Sequence, residues 1–377
     1  MTQLETRKIL HVMIDEKFND MAIRQFEEAE PGVSEYWVIA TQLILTRSAL
    51  ARKCTITELQ SQLSRSNISG VVFHSLLPSH YKLLRKIPNG KCVIWLGWGY
   101  DYYPLLSDDC NGTRILNKTE PLHAPPIKRQ LKRLVEPVLH RLILLKNGGL
   151  ISDLARIDYF APVLDLEYEM VLRQVSLKAE YIEWNYGTAE DDFSQADMGL
   201  AVGKNILAGN SATATNNHIE LFEAIRDRID LKDRKVIVPL SYGDAYYRSR
   251  VMKEGERLLG NAFTPLTTFM KKDQYLEIIR SCGFVMMNHL RQQALGNIFI
   301  AMLMGAKIFL NEENPLTAWL RFRGASIGSI DNIDLHLLQD AEKEANRLLV
   351  YSHLGREHQK RKTKNLIEIA RSQNMRH

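Results

Sequence analysis

No stretch of this chain approaches the roughly 18 consecutive apolar residues that a membrane-crossing helix needs. Cysteine is scarce. Cys54, Cys92, Cys110 and Cys282 are scattered, with no CxxC pair and no ligand-like spacing. They fit unpaired thiols in a reducing cytoplasm better than a disulfide frame or a zinc site. D-x-D, H-E-x-x-H and G-x-S-x-G are absent, and the lone DLE at 165–167 is too weak to define a metal site. Nothing in the sequence argues for a required metal. The opening MTQLETRKILHVMID has neither the apolar core nor the cleavage site of a secretory signal and reads as mature sequence.

What is present suffices for two domains, each with its own core: 377 residues, 45% of them hydrophobic and 25% charged. The net charge of +5 is unevenly placed, since eight Lys and Arg between Arg114 and Lys146 face only Glu120 and Glu136. Such a patch suggests a surface with a partner. Its core, PPIKRQLKRLVEPVLHRLILLK (125–146), has apolar residues near helical spacing, and Lys128, Arg129, Lys132 and Arg133 crowd its first turns. A solvated helix face, a nucleic-acid surface and a peripheral membrane contact all fit that pattern. Pro137 predicts a kink or a split in the helix.

Short apolar runs alternate with helical patterns along the chain. Strands are expected at 8–14, 36–41, 70–76 and 92–98, and again at 205–209, 235–241, 262–269, 283–288 and 306–311, with helices between them. This implies βαβ units and parallel sheets. The expected organisation is a domain over 1–190, a second over 200–350, and a helical tail over 351–377 that packs back on the first. Ligands in such α/β folds bind at the carboxyl ends of strands.

Three loops of the second half carry the chemistry. In ILAGNSATATNNHIELFEAI (206–225), an apolar run stops at Gly209 and small or polar residues lead to an amphipathic helix. Few side chains obstruct the backbone there, so N–H groups and the Ser211, Thr213 and Thr215 hydroxyls can approach a diphosphate at a positive helix end. Asn217 and Glu220 have the spacing of a capping box, so an ordinary capped β–α loop fits equally well. In NHLRQQALGNIFIAMLMGAKIFLNEENP (288–315), Arg291, Gln292 and Gln293 open a near-continuously apolar helix, and Gly296 permits close backbone approach. Arg291 can neutralise a phosphate bidentately, or pair with a surface carboxylate. Glu313 and Asn314 can accept from sugar or ribose hydroxyls. In VPLSYGDAYY (238–247), Tyr242 and Gly243 end a strand, where a tyrosine can stack on a base.

In the first half, VVFHSLLP leaves His74 at a strand end, and VIWLGWGYDYYP places Trp98, Asp101 and Tyr102 past another. Aromatics beside a carboxylate suit a sugar acceptor, with a ring face for its C–H surface and a base for its hydroxyl. Asp101 is the first choice as base, followed by Asp15 and His74; each is also a plausible structural residue.

Taken in order, WGYDYY and the basic helix after it, LAGNSATATNNHI, VPLSYG, and RQQALG followed by GAKIFLNEENP resemble one family. It is the TDP-N-acetylfucosamine:lipid II N-acetylfucosaminyltransferases of glycosyltransferase family 56, which act in enterobacterial common antigen synthesis. The likeness runs from about residue 70 onward. It implies an α/β GT-B fold, two Rossmann-like domains facing across a cleft, metal-independent with a TDP-sugar as donor. The candidate nucleotide-sugar residues are then Asn210, Ser211, Thr213, Asn217, His218, Tyr242, Gly243, Gln292, Gln293, Gly296, Asn297, Glu313 and Asn314. Arg291 would stabilise the departing diphosphate. Trp98 and Tyr102 would meet a polyprenyl-diphosphate-linked acceptor, and Lys128, Arg129, Lys132 and Arg133 would rest on the anionic cytoplasmic face of the inner membrane. Where the family has W-G-A-D-L-Y this chain has Trp98-Gly99-Tyr100-Asp101-Tyr102-Tyr103, so its acceptor can differ, for example an O-antigen glycan. A non-catalytic nucleotide-sugar-binding scaffold and a nucleic-acid-binding protein are the alternatives. Against the latter stands the lack of interleaved aromatics and of any nucleic-acid-binding module.

Overall fold

The computed structural model describes residues 7–106, 114–123, 152–175, 177–194, 199–201 and 203–372, with Lys272 described by its backbone alone. The chain divides into two compact units. The first gathers the described residues of Met1–Gly112, Val138–Asp192 and His353–His377, and the second those of Thr113–Pro137 and Phe193–Ser352. The basic residues Lys128, Arg129, Lys132 and Arg133 lie outside the described residues.

The first unit is built on β1 (Lys8–Ile14), β2 (Ser34–Ile39), β3 (Ala51–Cys54), β4 (Ile68–His74), β5 (Cys92–Leu96), β6 (Tyr159–Ala161) and β7 (Glu180–Tyr181). They pair in parallel in the order β3-β2-β1-β4-β5-β6-β7. β1 and β5 are almost wholly buried, as strands covered on both faces must be, which explains their continuous apolar sequences. β3, with the sequence ARKC, has no apolar run and was not expected; it is an edge strand whose charged side chains face solvent. The helix Ile56–Leu63 starts at a capping box, in which Thr55 accepts from Glu58 N–H and Glu58 accepts from Thr55 N–H.

The last helix, Arg356–Arg371, belongs to this unit. It seats Leu366, Ile367 and Ala370 in the same core cluster as Ile9, Val72 and Ile94. Gly70 on β4 makes this possible, because a Cβ there would stand 2.4 Å from the Ala370 carbonyl oxygen. Thr363 accepts from the Trp184 indole at 3.0 Å, and the buried Lys362 ammonium reaches Glu183 at 2.7 Å.

The second unit repeats the plan with β8 (Ile206–Ala208), β9 (Val236–Pro239), β10 (Phe263–Leu266), β11 (Phe284–Met287), β12 (Lys307–Leu310) and β13 (Gly328–Ser329). All are parallel, in the order β10-β9-β8-β11-β12-β13. In each sheet the order reverses next to the unit's first strand, between β1 and β4 and between β8 and β11. That reversal is the Rossmann switch point, where the loops leaving two neighbouring strands diverge and open a crevice.

Candidate active site

In the second unit, the loops after β8 and β11 meet at the switch point. Thr215 donates to Gln293 Oε1 at 2.7 Å, and Gln293 Nε2 donates to Asn210 Oδ1 at 3.1 Å. The hydroxyls of Ser211, Thr213 and Thr215 form a ladder with spacings of 2.9 and 3.3 Å. His289 Nε2 lies 3.2 and 3.1 Å from the side-chain oxygens of Asn210 and Asn216, and Asn217 Nδ2 donates to the Asn288 carbonyl at 3.0 Å. A short run of small and amide side chains therefore ties two loops, about eighty residues apart in sequence, into one polar surface.

Gly209 permits the turn. Its φ is +71°, and a Cβ would stand 2.8 Å from Asn216 Oδ1 and 3.0 Å from His218 Nε2. The loop after β9 closes the third side. Ala212 N–H donates to the Tyr242 carbonyl at 2.8 Å, and Asp244 N–H donates to the Ala212 carbonyl at 2.9 Å. Gly243, at φ +115°, could not carry a Cβ, which would fall 2.5 Å from the Ala212 oxygen. The Tyr242 hydroxyl accepts from Asn210 Nδ2 at 3.0 Å while the residue is 49% exposed.

The helix Leu295–Leu303 begins directly behind Gln293. Ala294, at φ +62°, is its N-cap and makes no side-chain cap bond, and Gly296 and Asn297 sit in the first turn. A helix start without a capping side chain suits an anion, for it carries oriented N–H groups and the positive end of the dipole. Arg291 is half-buried next to this turn. Burial first, and then the nearby Arg291 charge, hold the His289 ring well below its ordinary pKa, so His289 is a neutral partner for the two amides. Gln292 is buried.

Several expected roles change. Asn217 and Glu220 do not form a capping box. Asn217 takes a left-handed conformation, its Oδ1 accepts from Leu116 N–H at 2.8 Å, and Glu220 accepts from the backbone and hydroxyl of Thr119. Thr119 in turn accepts from Ile219 N–H at 3.3 Å. The segment 114–119 thus covers the first turn of the helix His218–Arg228, whereas the helix after β11 starts without a side-chain cap bond. His218 is fully buried; it lies 3.0 Å from the Tyr247 hydroxyl, and burial lowers its pKa to about 3. It supports the loop from beneath. Asn314 is a buried N-cap, accepting from Leu316 N–H at 2.9 Å ahead of Pro315, and the Asn-Pro pair signals this in the sequence. Glu313 is exposed beside it.

Asn216, Asn288 and His289 were not among the candidate residues although the loops quoted above contain them, and two further residues escaped the sequence reading as well. Arg114 was counted in the basic patch, yet its guanidinium donates to the Leu290 carbonyl at 3.1 Å, next to Arg291. Asn311, past β12, donates to Asn288 Oδ1 at 2.8 Å and so joins a fourth strand end to the network. Neither has a local sequence signal.

In the first unit, the three groups considered as a base are engaged internally. Asp101 is buried and accepts from Leu76 N–H at 3.0 Å, Trp98 N–H at 2.9 Å and the Trp95 indole at 2.8 Å. Burial raises its pKa, and these donors oppose the rise. Its carboxylate ties the loops after β4 and β5 together. Asp15 accepts from the N–H groups of Ile44, Leu45 and Thr46; burial works against its charge, but these bonds keep its pKa low. His74 lies within a buried chain. Its Nε2 is 2.9 Å from His11 Nδ1, its Nδ1 is 2.9 Å from the Tyr186 hydroxyl, and His11 Nε2 is 3.1 Å from Ser34 Oγ. Burial pushes the His74 pKa down to about 3. Tyr102 is fully buried with Tyr103, both donating to Glu167, and so is a core residue instead of an acceptor contact. Trp98 is half-buried. It packs edge-on against Phe18, Tyr100 and Tyr186, with ring centroids 5.6, 5.9 and 5.3 Å away, and forms an aromatic surface at the carboxyl ends of β1, β4 and β5.

Among the described residues no cluster of three or more His, Cys, Asp or Glu could hold a metal ion. No helix there is long and apolar enough to cross a membrane.

Solved structures share this architecture. The N-terminal domain of Candida albicans trehalose-6-phosphate phosphatase matches with a TM-score of 0.63 at 12% identity, over 96% of each chain. Anabaena HepE, solved with UDP and glucose, matches at 0.62 and 10%, over 96% of this chain and 99% of that one. The UDP-forming α,α-trehalose-phosphate synthase of Burkholderia xenovorans, solved with glucose-6-phosphate, matches at 0.61 and 10%, over 97% and 100%. Two parallel α/β units of this kind define the GT-B fold, and the protein is a glycosyltransferase. It belongs to the 4-alpha-L-fucosyltransferase family, glycosyl transferase group 56, whose model matches residues 160–349, just over half of the chain.

Proposed function

We propose that the enzyme transfers a 4-acetamido-4,6-dideoxyhexose from a TDP-sugar to a polyprenyl-diphosphate-linked glycan of a bacterial surface polysaccharide, enterobacterial common antigen or an O-antigen. It would work on the cytoplasmic face of the inner membrane. The observation that carries the donor half is the shared polar surface of the loops after β8 and β11, set against the start of the helix Leu295–Leu303. The family's description as a fucosyltransferase supports a deoxyhexose, and the UDP named with two of the similar structures supports a nucleoside diphosphate as leaving group.

In this reading the donor diphosphate lies over Gly296 and Asn297, Arg291 takes up the charge that develops as the glycosidic bond breaks, and Tyr242 covers the base. The Ser211–Thr215 hydroxyls and Gln293 address the sugar or the phosphates. No metal is required, because an arginine and a helix dipole supply the positive charge. Acceptor sugar rings stack on Trp98, Tyr100 and Tyr186. Asp15, Asp20 and Asp101 are each held by two or more backbone donors, so the acceptor proton falls to Glu16, the half-buried carboxylate past the end of β1, which takes one long bond from Lys17 N–H at 3.3 Å.

A thermal-shift screen of nucleoside diphosphates and nucleotide sugars tests the donor half. A ligand at about 100 times its Kd stabilises by about 2.7 kcal/mol, so a TDP-sugar should raise Tm more than its UDP and GDP counterparts. Arg291→Ala should shrink the shift with every nucleoside diphosphate and lower kcat by about 10²–10³-fold while the protein stays folded. A full response to the TDP-sugar in Arg291→Ala would overturn the assignment. Glu16→Gln should lower kcat with little change in donor KM.

A further inference from the structure

The loop between β2 and β3 is ordered in an unusual way. Five successive backbone N–H groups, from Ile44 to Ser48, are held by two carboxylates. Asp15 takes Ile44 at 2.7 Å, Leu45 at 3.0 Å and Thr46 at 2.8 Å, and Asp20 takes Arg47 at 3.0 Å and Ser48 at 2.9 Å. The Thr46 side chain is buried and accepts from Asn19 at 2.8 Å. Such a frame would ordinarily turn apolar side chains inward. Here Ile44 is 72% exposed, Leu45 47% and Leu50 51%.

A loop left to itself can fold apolar side chains against the nearest surface. One pinned at five amides cannot, so the exposure is built in. Clustered exposed aliphatic residues on a fixed frame mark a contact surface. The charge of the segment names the partner. From Thr41 to Lys53 there is no acidic residue, and Arg47, Arg52 and Lys53 are exposed beside the aliphatic tip. Aliphatic side chains flanked by cations suit the boundary between acyl chains and anionic headgroups.

We infer that residues 43–50 form an interfacial docking loop that, with Arg52 and Lys53 of β3 beside it, inserts Ile44, Leu45 and Leu50 into the headgroup region of an anionic lipid bilayer. The inference deepens the lipid-linked acceptor of the proposed function, because the loop leaves the carboxyl end of β2, the same edge of the sheet that carries Phe18, Trp98 and Tyr186. A bilayer-bound glycan would then reach the aromatic surface without leaving its membrane.

The test is co-sedimentation of the full chain with vesicles of phosphatidylglycerol and phosphatidylethanolamine, against phosphatidylcholine, at fixed salt. These vesicles carry neither glycan nor nucleotide, so the result is independent of the donor assignment. Wild type should bind the anionic vesicles and leave the neutral ones. Ile44→Ser with Leu45→Ser should weaken that binding at least tenfold, and Arg47→Glu with Arg52→Glu should weaken it most at low salt. Circular dichroism and a Tm within a degree or so of wild type, measured without ligand, establish that the variants fold. Binding of the double serine variant equal to wild type would overturn the inference, as would the absence of wild-type binding to anionic vesicles. A wild-type dimer that becomes monomeric in the serine variant without any lipid binding would also overturn it, and would assign the loop to a second copy of the chain.

Discussion

Four fully buried imidazoles among the described residues give the protein a pH dependence that can be signed residue by residue. Burial lowers His11, His74, His218 and His289, with His74 and His218 pushed to about 3. In the unfolded chain each titrates near the ordinary value of about 6.5. Below that pH the unfolded chain binds protons that the folded protein refuses, so stability is full above it and falls with pH until the folded values are reached. Each such histidine costs about 1.4 kcal/mol per pH unit over this window. Urea unfolding should therefore show a steep loss of stability between pH 7 and pH 5, about 2 kcal/mol for each of His74 and His218. His74→Gln should shallow the slope by one proton, whatever it does to stability at pH 7. Asp191, held at about 2 chiefly by its bonds with Arg356, titrates too low to contribute to that slope.

Among the elements, the glycines at close approaches decide whether a loop keeps its shape. Gly209→Ala places a Cβ on Asn216 Oδ1 and strains a left-handed backbone, so it should destabilise by about 1–3 kcal/mol. It should also weaken donor binding, because Asn216 links the Ser211–Thr215 ladder to His289; calorimetric titration with the nucleotide reads the change. Gly70→Ala acts on the last helix instead. Its Cβ meets the Ala370 backbone, which has no rotamer by which to retreat, so thermal stability should fall while the Kd for the donor nucleotide stays the same.

Across the whole molecule, the last helix of the chain completes the first unit. Deleting residues 353–377 removes Leu366, Ile367 and Ala370 from its core and exposes one face of β1, β4 and β5. Hydrogen exchange should accelerate in those strands and leave β8, β9 and β11 protected. Uniform acceleration across both sheets would refute this assignment.

Strand positions were legible from apolar runs because a strand covered on both faces must be apolar throughout, and β1, β4, β5, β8, β9, β11 and β12 read correctly. The loops after β8 and β11 stood out because small and amide residues leave backbone open between a strand and a helix. The rest required tertiary structure, because it depends on what arrives from elsewhere in the chain. No local pattern shows that segment 114–119 takes the cap of the helix His218–Arg228, that Asp101 meets three donors in the core, or that Arg114 reaches Leu290. A carboxylate or guanidinium has the same letter whether it meets a substrate or a backbone amide. The sequence by itself determined which segments become strands and helices, since periodicity follows from burial along one element; only the packing of distant segments decided which polar groups remain available for chemistry.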